Sequence, residues 1–417
     1  MGMIEPGTED RVARITNYEI HVFHEGRWIL NTILDTEGQA TALAKGLLND
    51  KKNDGVRVIK DWRRPDGSYG ETTLFEQMKR VERKKDVSVA DIAAAPLCNE
   101  PIALYKPDAR ATTNRLLRKY LDEAILTPTE LLHNYSELKR VLNTENLAAS
   151  AVEKVAGIQA HLTGQSSRVR RDLLFKMIDQ VLQRARQAGD TSFPRVKDVG
   201  LPAVLKAVDA GAPPEDRDYC AMIALSAHLI GIRNWTGKIS EVLKQSLNGG
   251  DHRLAVMADT VVADVFGAST VLQDMIGQQR NLGMYIQRLA DFMDGHLALG
   301  GRESSDPAID INQRLGTGSF PQTRAFLTDA ALRYLKSAQP LARNEPGEEF
   351  EAFKKLLERF VKADEIFAGP ETAEALAMRY MRFLPQGGVS GRREAVTVAA
   401  DLLATTPQKV CFLVSLA

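Results

Sequence analysis

HRLAVMADTVVADVFGASTVLQDMI, residues 252–276, carries Leu254, Met257, Val261, Val265 and Leu272 at roughly helical spacing. Ala255, Ala258 and Ala263 are small enough to let neighbouring helices approach. The stretch around it, 216–297, reads as four apolar helices: Asp218 to Ile232, Lys238 to Leu247, His252 to Ile276 and Leu282 to Leu297. Asn248-Gly249-Gly250 and Gly277 mark helix ends, because glycine accepts left-handed backbone. Faces of this kind need partners, so the stretch predicts the core of a helical domain.

Outward from that core, the helical period continues. Leu116, Leu117, Tyr120 and Leu121 share a face. Thr127-Pro-Thr-Glu130 combines an N-cap threonine, proline at N1 and glutamate at N3, a capping box. Thr144 and Ser167 read as further caps, and Gly189 as the end of a long helix. Residues 300–323 read as a loop rich in Gly, Ser and Pro. Thr328 to Ala338, Glu348 to Ala368, Glu371 to Phe383 and Arg392 to Ala404 then read as helices. Helix pairs recur without a fixed repeat, which predicts an irregular array rather than a solenoid. The apolar end, 410–417, is expected to dock on this domain.

Toward the N-terminus the period changes to two. After a tail over 1–15, Tyr18, Ile20 and Val22 alternate with polar neighbours, and Glu25-Gly26 turns the chain into a second strand, Arg27 to Leu34. Thr36 to Gln39 has the form of a capping box opening a helix with Ala40, Leu43, Ala44, Leu47 and Leu48 on one side. Val56, Val58, Lys60 and Trp62 alternate as a third strand, which places Trp62 on the helix-packed face. Pro65-Asp66-Gly67 turns it back into Tyr69 to Phe75. The fold class is therefore α+β: a small ββαββ two-layer domain over 16–78, with an order that suits a β-grasp arrangement, then a large irregular all-α domain over 108–417. A basic connector with Pro96, Pro101 and Pro107 spans 79–107, with a helical turn from Ser88 to Ala95.

Composition bounds the function. At 417 residues the chain has room for two or three domains, and an apolar share of 44% is that of a globular protein. Lys plus Arg equals Asp plus Glu at 54 each, so no global field draws the chain to nucleic acid or anionic lipid. Three scattered cysteines, Cys98, Cys220 and Cys411, predict a reducing, cytoplasmic setting without disulfides. No apolar run approaches the length of a membrane span, and the first residues lack the pattern of a signal peptide.

Candidate chemistry is sparse. The seven histidines form no ligand set at metal spacing, and no nucleophile motif is present, so neither a metal nor a cofactor is expected. Ser390, Gly391, Arg392 and Arg393, after the glycine-rich turn from Gln386, form a candidate anion site of helix amides and guanidinium groups. From Val56 to Lys85, nine Lys/Arg stand against five Asp/Glu beside Trp62 and Tyr69. Arg63, Arg64, Lys79, Arg80, Arg83, Lys84 and Lys85 are its candidate nucleic-acid contacts, although a solvated basic hairpin is the favoured reading of them. The expectation is a non-catalytic interaction or regulatory protein, a scaffold or adaptor with a protein partner. An enzyme or sensor of a phosphorylated small molecule, and a weak nucleic-acid binder, are the alternatives.

Overall fold

The computed structural model describes residues 16–24, 27–50, 53, 55–63, 69–78, 89–189, 193–247, 251–268, 270–303, 305–342, 346–383 and 389–416. Its contacts divide the chain into two units, Met1–Asp86 and Val87–Ala417. The architecture is α+β, a four-stranded sheet unit followed by a large helical one.

In the first unit, β1 (Thr16–His24), β2 (Arg27–Leu34), β3 (Gly55–Arg63) and β4 (Tyr69–Met78) form one sheet in the order β2-β1-β3-β4, every neighbouring pair antiparallel. β2 and β3 both oppose β1 and so run in the same direction. The helix between them, α1 (Glu37–Leu48), closes a split βαβ crossover. A β-grasp sheet requires a parallel central pair, so that expectation is corrected. Ile20 opposite Val58 and Val22 opposite Val56 form the inner face. Ala40 and Ala44 press against it without exposure, their small side chains setting the helix close to the sheet. Leu43 turns to solvent instead of joining that side.

The Thr36 hydroxyl donates to Gln39 Oε1 at 2.9 Å and accepts nothing from the helix amides, so the capping box foreseen there does not form. Trp62 has the inward parity of Val56 and Val58 but lies past the aliphatic cluster, opposite Gly70. A Cβ on Gly70 would come within 2.7 Å of the indole. Glycine there makes room for the half-buried ring.

The second unit is helical. Its first part comprises α2 (Pro107–Leu116), α3 (Arg118–Ala124), α4 (Pro128–Leu132), α5 (Tyr135–Asn143), α6 (Leu147–Thr163) and α7 (Ser167–Gly189). The middle holds α8 (Val196–Val199), α9 (Leu201–Gly211), α10 (Arg217–Leu229), α11 (Trp235–Leu247), α12 (His252–Val265), α13 (Val271–Ile276), α14 (Leu282–Met293), α15 (Pro307–Gly316) and α16 (Pro321–Lys336). α17 (Pro346–Phe360), α18 (Pro370–Tyr380), α19 (Val389–Asp401) and α20 (Thr406–Val414) complete it. No helix among the described residues is long and apolar enough to cross a membrane.

α12 is the buried axis of this unit: every residue from Met257 to Val265 is buried, and α2, α4, α11 and α16 pack around it. Enclosed on all sides from Met257 onward, this part of the helix has no solvent-facing polar stripe. The single helix foreseen over 252–276 is two, broken after Val265. A Cβ at Gly267 would meet Asn114 Nδ2 at 2.0 Å, so the break is where α2 comes closest.

Other boundaries differ for local reasons. Within 300–323 the chain forms α15, because Asp306 accepts from Ala308 N at 2.8 Å ahead of Pro307 at N1. The helix foreseen to Ala368 stops at Phe360, where Val361 pairs with Ile366 in a short bridge. Thr144 closes α5 rather than opening α6, and Ser166, not Ser167, accepts from the first turn of α7. Residues 89–99 form no helical turn but an extended strap on the helices, and Ser88 lies outside the described residues. Ala90 N donates to Leu116 O, Gln159 to Pro96 O, and the buried Arg170 to Cys98 O and Asn99 Oδ1. At the other end, α20 docks through the fully buried Phe412 while Val410 and Val414 stay exposed.

Val261 has no exposure and Val256, on the same helix, has 42%. Val261→Asp buries an unpaired carboxylate and is expected to lower stability by several kcal/mol. Val256→Asp should stay within about 0.5 kcal/mol. Thermal melts followed by circular dichroism compare the two; equal melting temperatures would place Val261 at the surface.

Candidate functional site

Arg392 sits on α19 and is paired with Glu374 of α18, Nη2 to Oε2 at 2.7 Å and Nε to Oε1 at 3.3 Å. The Glu374 partner holds the Arg392 guanidinium above its ordinary pKa. Ser390 is the second residue of the helix rather than its cap, Gly391 is buried, and Arg393 is exposed beside Arg392. The glycine-rich turn at 384–388 lies outside the described residues. Of the basic set, Arg63 ends β3, while Arg64, Lys79, Arg80, Arg83, Lys84 and Lys85 lie outside them.

The densest polar arrangement of the helical unit was not foreseen. It centres on two aspartates in α12, Asp259 and Asp264, five residues apart and buried. Asp264 Oδ1 accepts from Arg110 Nε at 3.0 Å, and Oδ2 from the backbone N and hydroxyl of Thr129 at 2.8 and 2.6 Å. Asn114 donates to the Asp264 carbonyl at 2.7 Å. Asp259 takes the first amides of α16, Gln322 N and Thr323 N, both at 2.8 Å. That is a carboxylate at a helix N-terminus, favoured by the free amides and the macrodipole. Burial raises the Asp259 pKa against these bonds. Arg110 closes the ring by donating from Nη2 to Gln322 Oε1 at 2.8 Å.

Beside it, the capping box foreseen at Thr127 is formed: Thr127 Oγ1 accepts from Glu130 N at 3.1 Å and Glu130 Oε2 from Thr127 N at 2.7 Å. The other Glu130 oxygen accepts from Lys238 of α11, and neither side chain has any exposure. Burial pushes the Glu130 carboxyl up and the Lys238 ammonium down from their ordinary values. Both Asp264 oxygens, both Asp259 oxygens and both Glu130 oxygens thus have protein donors. Carboxylates so occupied hold helices together.

His133, one turn past Thr129, is buried in a cluster of three rings, its centroid 5.1 Å from Tyr105 and 5.0 Å from Tyr219, which meet each other edge to face at 5.6 Å. Its Nδ1 lies 2.7 Å from the Thr129 carbonyl and therefore carries the proton of the neutral ring. The Arg184 guanidinium covers the far face of Tyr219 at 3.9 Å. Burial pulls His133 down to about 4, with the Arg110 and Arg184 charges adding to it and the Thr129 bond opposing it.

The first unit offers a different surface. Strand register fixes the helix-free face of the sheet as four rows, since paired residues share a face. From β2 to β4 they read Trp28, Phe23, Gly55, Met78; then Leu30, His21, Arg57, Glu76; then Ile33, Glu19, Ile59, Thr73; and last Asn17, Asp61, Glu71. Leu30, Ile33 and Met78 are 48, 47 and 43% exposed. Phe23 and Trp28 meet edge to face at 5.1 Å and Arg57 lies over Trp28 at 4.6 Å. The first row is therefore apolar, and Leu30 and Ile33 continue it along the β2 edge beside His21 and Glu19. In the last row, Asp61 and Glu71 are directly opposed like charges, and Asp61 Oδ1 is buried without a hydrogen-bond partner.

Comparison of the chain with protein-family models, with curated proteins and with solved structures found no match.

The buried histidine makes stability pH-dependent with a definite sign. An unfolded His133 takes up a proton near pH 6.5 and the folded one only near 4, so the unfolded state binds more protons between those values. Its contribution is fully present above pH 6.5 and is lost as pH falls through this window, by about 3 kcal/mol. His133→Phe should flatten that part of the stability–pH curve in denaturant titrations. An unchanged slope would mean that His133 ionises freely in the fold.

Proposed function

We propose that the protein is a non-catalytic interaction protein, regulatory or scaffolding, that engages a protein partner through the helix-free face of its N-terminal sheet. The observation that carries the reading is the presence on one face of half-exposed apolar residues, Met78 at the β4 edge and Leu30 and Ile33 along the β2 edge, together with an acidic row where Asp61 and Glu71 oppose each other. Apolar side chains left exposed on one face lose free energy by staying in water, and covering them is a common reason for their presence. Opposed carboxylates repel across the strands, and a cation placed between them relieves that repulsion. The partner that fits both features presents aliphatic side chains together with lysine or arginine. A polyanion fits neither, which sets nucleic acid below protein. Three free cysteines favour a reducing compartment and, with it, a cytoplasmic location.

The test is affinity capture from nuclease-treated native lysate, comparing the wild-type chain with Leu30→Lys/Ile33→Lys and with a control at the exposed Leu162 on α6, Leu162→Lys. Proteins retained by the wild type and the control should be lost from the double variant, whose strand signal in circular dichroism is unchanged. They should also elute with salt, as a charged contact does. Retention of the same proteins by the double variant, or no retention by the wild type, would rule the face out.

A further inference from the structure

A partly open cavity of about 120 Å³ lies in the helical unit, lined by α2, α4, α5, α6 and α7 and by the strap at Pro96 and Cys98. Native interiors hold few voids larger than a water molecule, because each unfilled volume forfeits dispersion contacts on every side. An engineered apolar cavity of about 150 Å³ stays dry and takes up benzene or xenon. The present one is of the same order, large enough for a molecule rather than a packing fault.

Its chemistry is one-sided. Leu116, Leu131, Val152, Val155, Leu174 and Ile178 are typical of the lining, and no charged side chain is among the lining residues. Three polar side chains reach the wall, and each is satisfied by the protein. Thr112 donates to Asp108 O at 2.8 Å and Thr113 to Ala109 O at 3.0 Å, the residues one turn earlier. Gln159 donates to Pro96 O and accepts from Arg170 Nε at 3.2 Å. With their donors already used inside the protein, these groups leave a water few of the two to four partners it needs. A charged or strongly polar ligand would lose its hydration without replacement.

The strap gives the cavity a wall that is not a helix. Residues 94–99 have no regular backbone ladder and are held by the Gln159 and Arg170 bonds to the Pro96 and Cys98 carbonyls.

We propose that this cavity is a binding site for a small neutral apolar molecule, a short aliphatic or single-ring aromatic compound, selected by shape and not by hydrogen bonds. The site is independent of the sheet face.

Benzene is the probe, applied to the full chain. Two readouts are taken: the melting temperature, and the rate at which iodoacetamide modifies Cys98, which lines the cavity, relative to Cys220, which is buried in a different cluster. Benzene should raise the melting temperature saturably. At ten times its Kd it should slow Cys98 modification about tenfold relative to Cys220, since only the empty fraction reacts. Val152→Phe and Ala151→Leu fill the space, and in whichever of them folds both effects should vanish. Effects that persist in a folded filling variant place benzene elsewhere and overturn the proposal. Should neither variant fold, the wild-type Cys98 to Cys220 ratio decides: a ratio unmoved by benzene overturns it.

Discussion

The Asp264 carboxylate, buried in the last turn of α12, is the constraint on which the helical unit depends. Its three donors come from α2 and α4, more than a hundred residues away in sequence. Five residues earlier, Asp259 holds the first amides of α16, and Arg110 joins the two by reaching Gln322. Four helices are thereby fixed in register along one buried axis. Aliphatic contacts alone would let such helices slide or rotate at little cost, since apolar burial has no direction. A buried carboxylate with one set of donors does not, because any displacement leaves a charge unpaired in a poor solvent for it. The Glu130–Lys238 pair applies the same constraint between α4 and α11.

The local parts of this structure were legible in the sequence, and the long-range parts were not. Period two over 18–22 and 56–62 and the helical period around Val261 each reflect which side of an element meets the core, a property of neighbouring residues. Thr127 to Glu130 announced its capping box because both partners lie within four residues. Asp259 and Asp264 were visible as two acids in a largely apolar helix, and that mismatch was the available signal. Their donors at 110, 129 and 322 carry no mark that ties them to α12. Strand order failed for a similar reason: β1 pairs with β3 across the helix, and alternation is the same for parallel and antiparallel neighbours. The break after Val265 depends on Asn114, a residue no window around Gly267 contains.

The two candidate basic sites and the two surfaces found in the structure differ in what they ask of a side chain. Arg392 was read as a mobile charge for an anion, but its guanidinium is aligned on Glu374, which any phosphate would have to displace. The sheet face and the cavity instead rest on apolar groups left without protein neighbours. Such vacancies leave no motif, because a leucine that lines a cavity is the same in sequence as one that fills a core. The strap over residues 89–99 shows this most clearly. Its prolines read as a connector, while its carbonyls are held by Arg170 and Gln159 as one wall of the cavity.

A double-mutant cycle on Arg110 and Asp264 tests the central claim most directly. Arg110→Leu, Asp264→Asn and the double variant are unfolded in denaturant, with the helical signal followed by circular dichroism. Each single change should cost about 3–5 kcal/mol, because each strands a buried charge or its donors. The double variant should cost less than their sum by about 2 kcal/mol or more, the coupling of a direct buried contact. Additive losses, with coupling below about 0.5 kcal/mol, would contradict the account and leave the register of these helices to apolar packing alone.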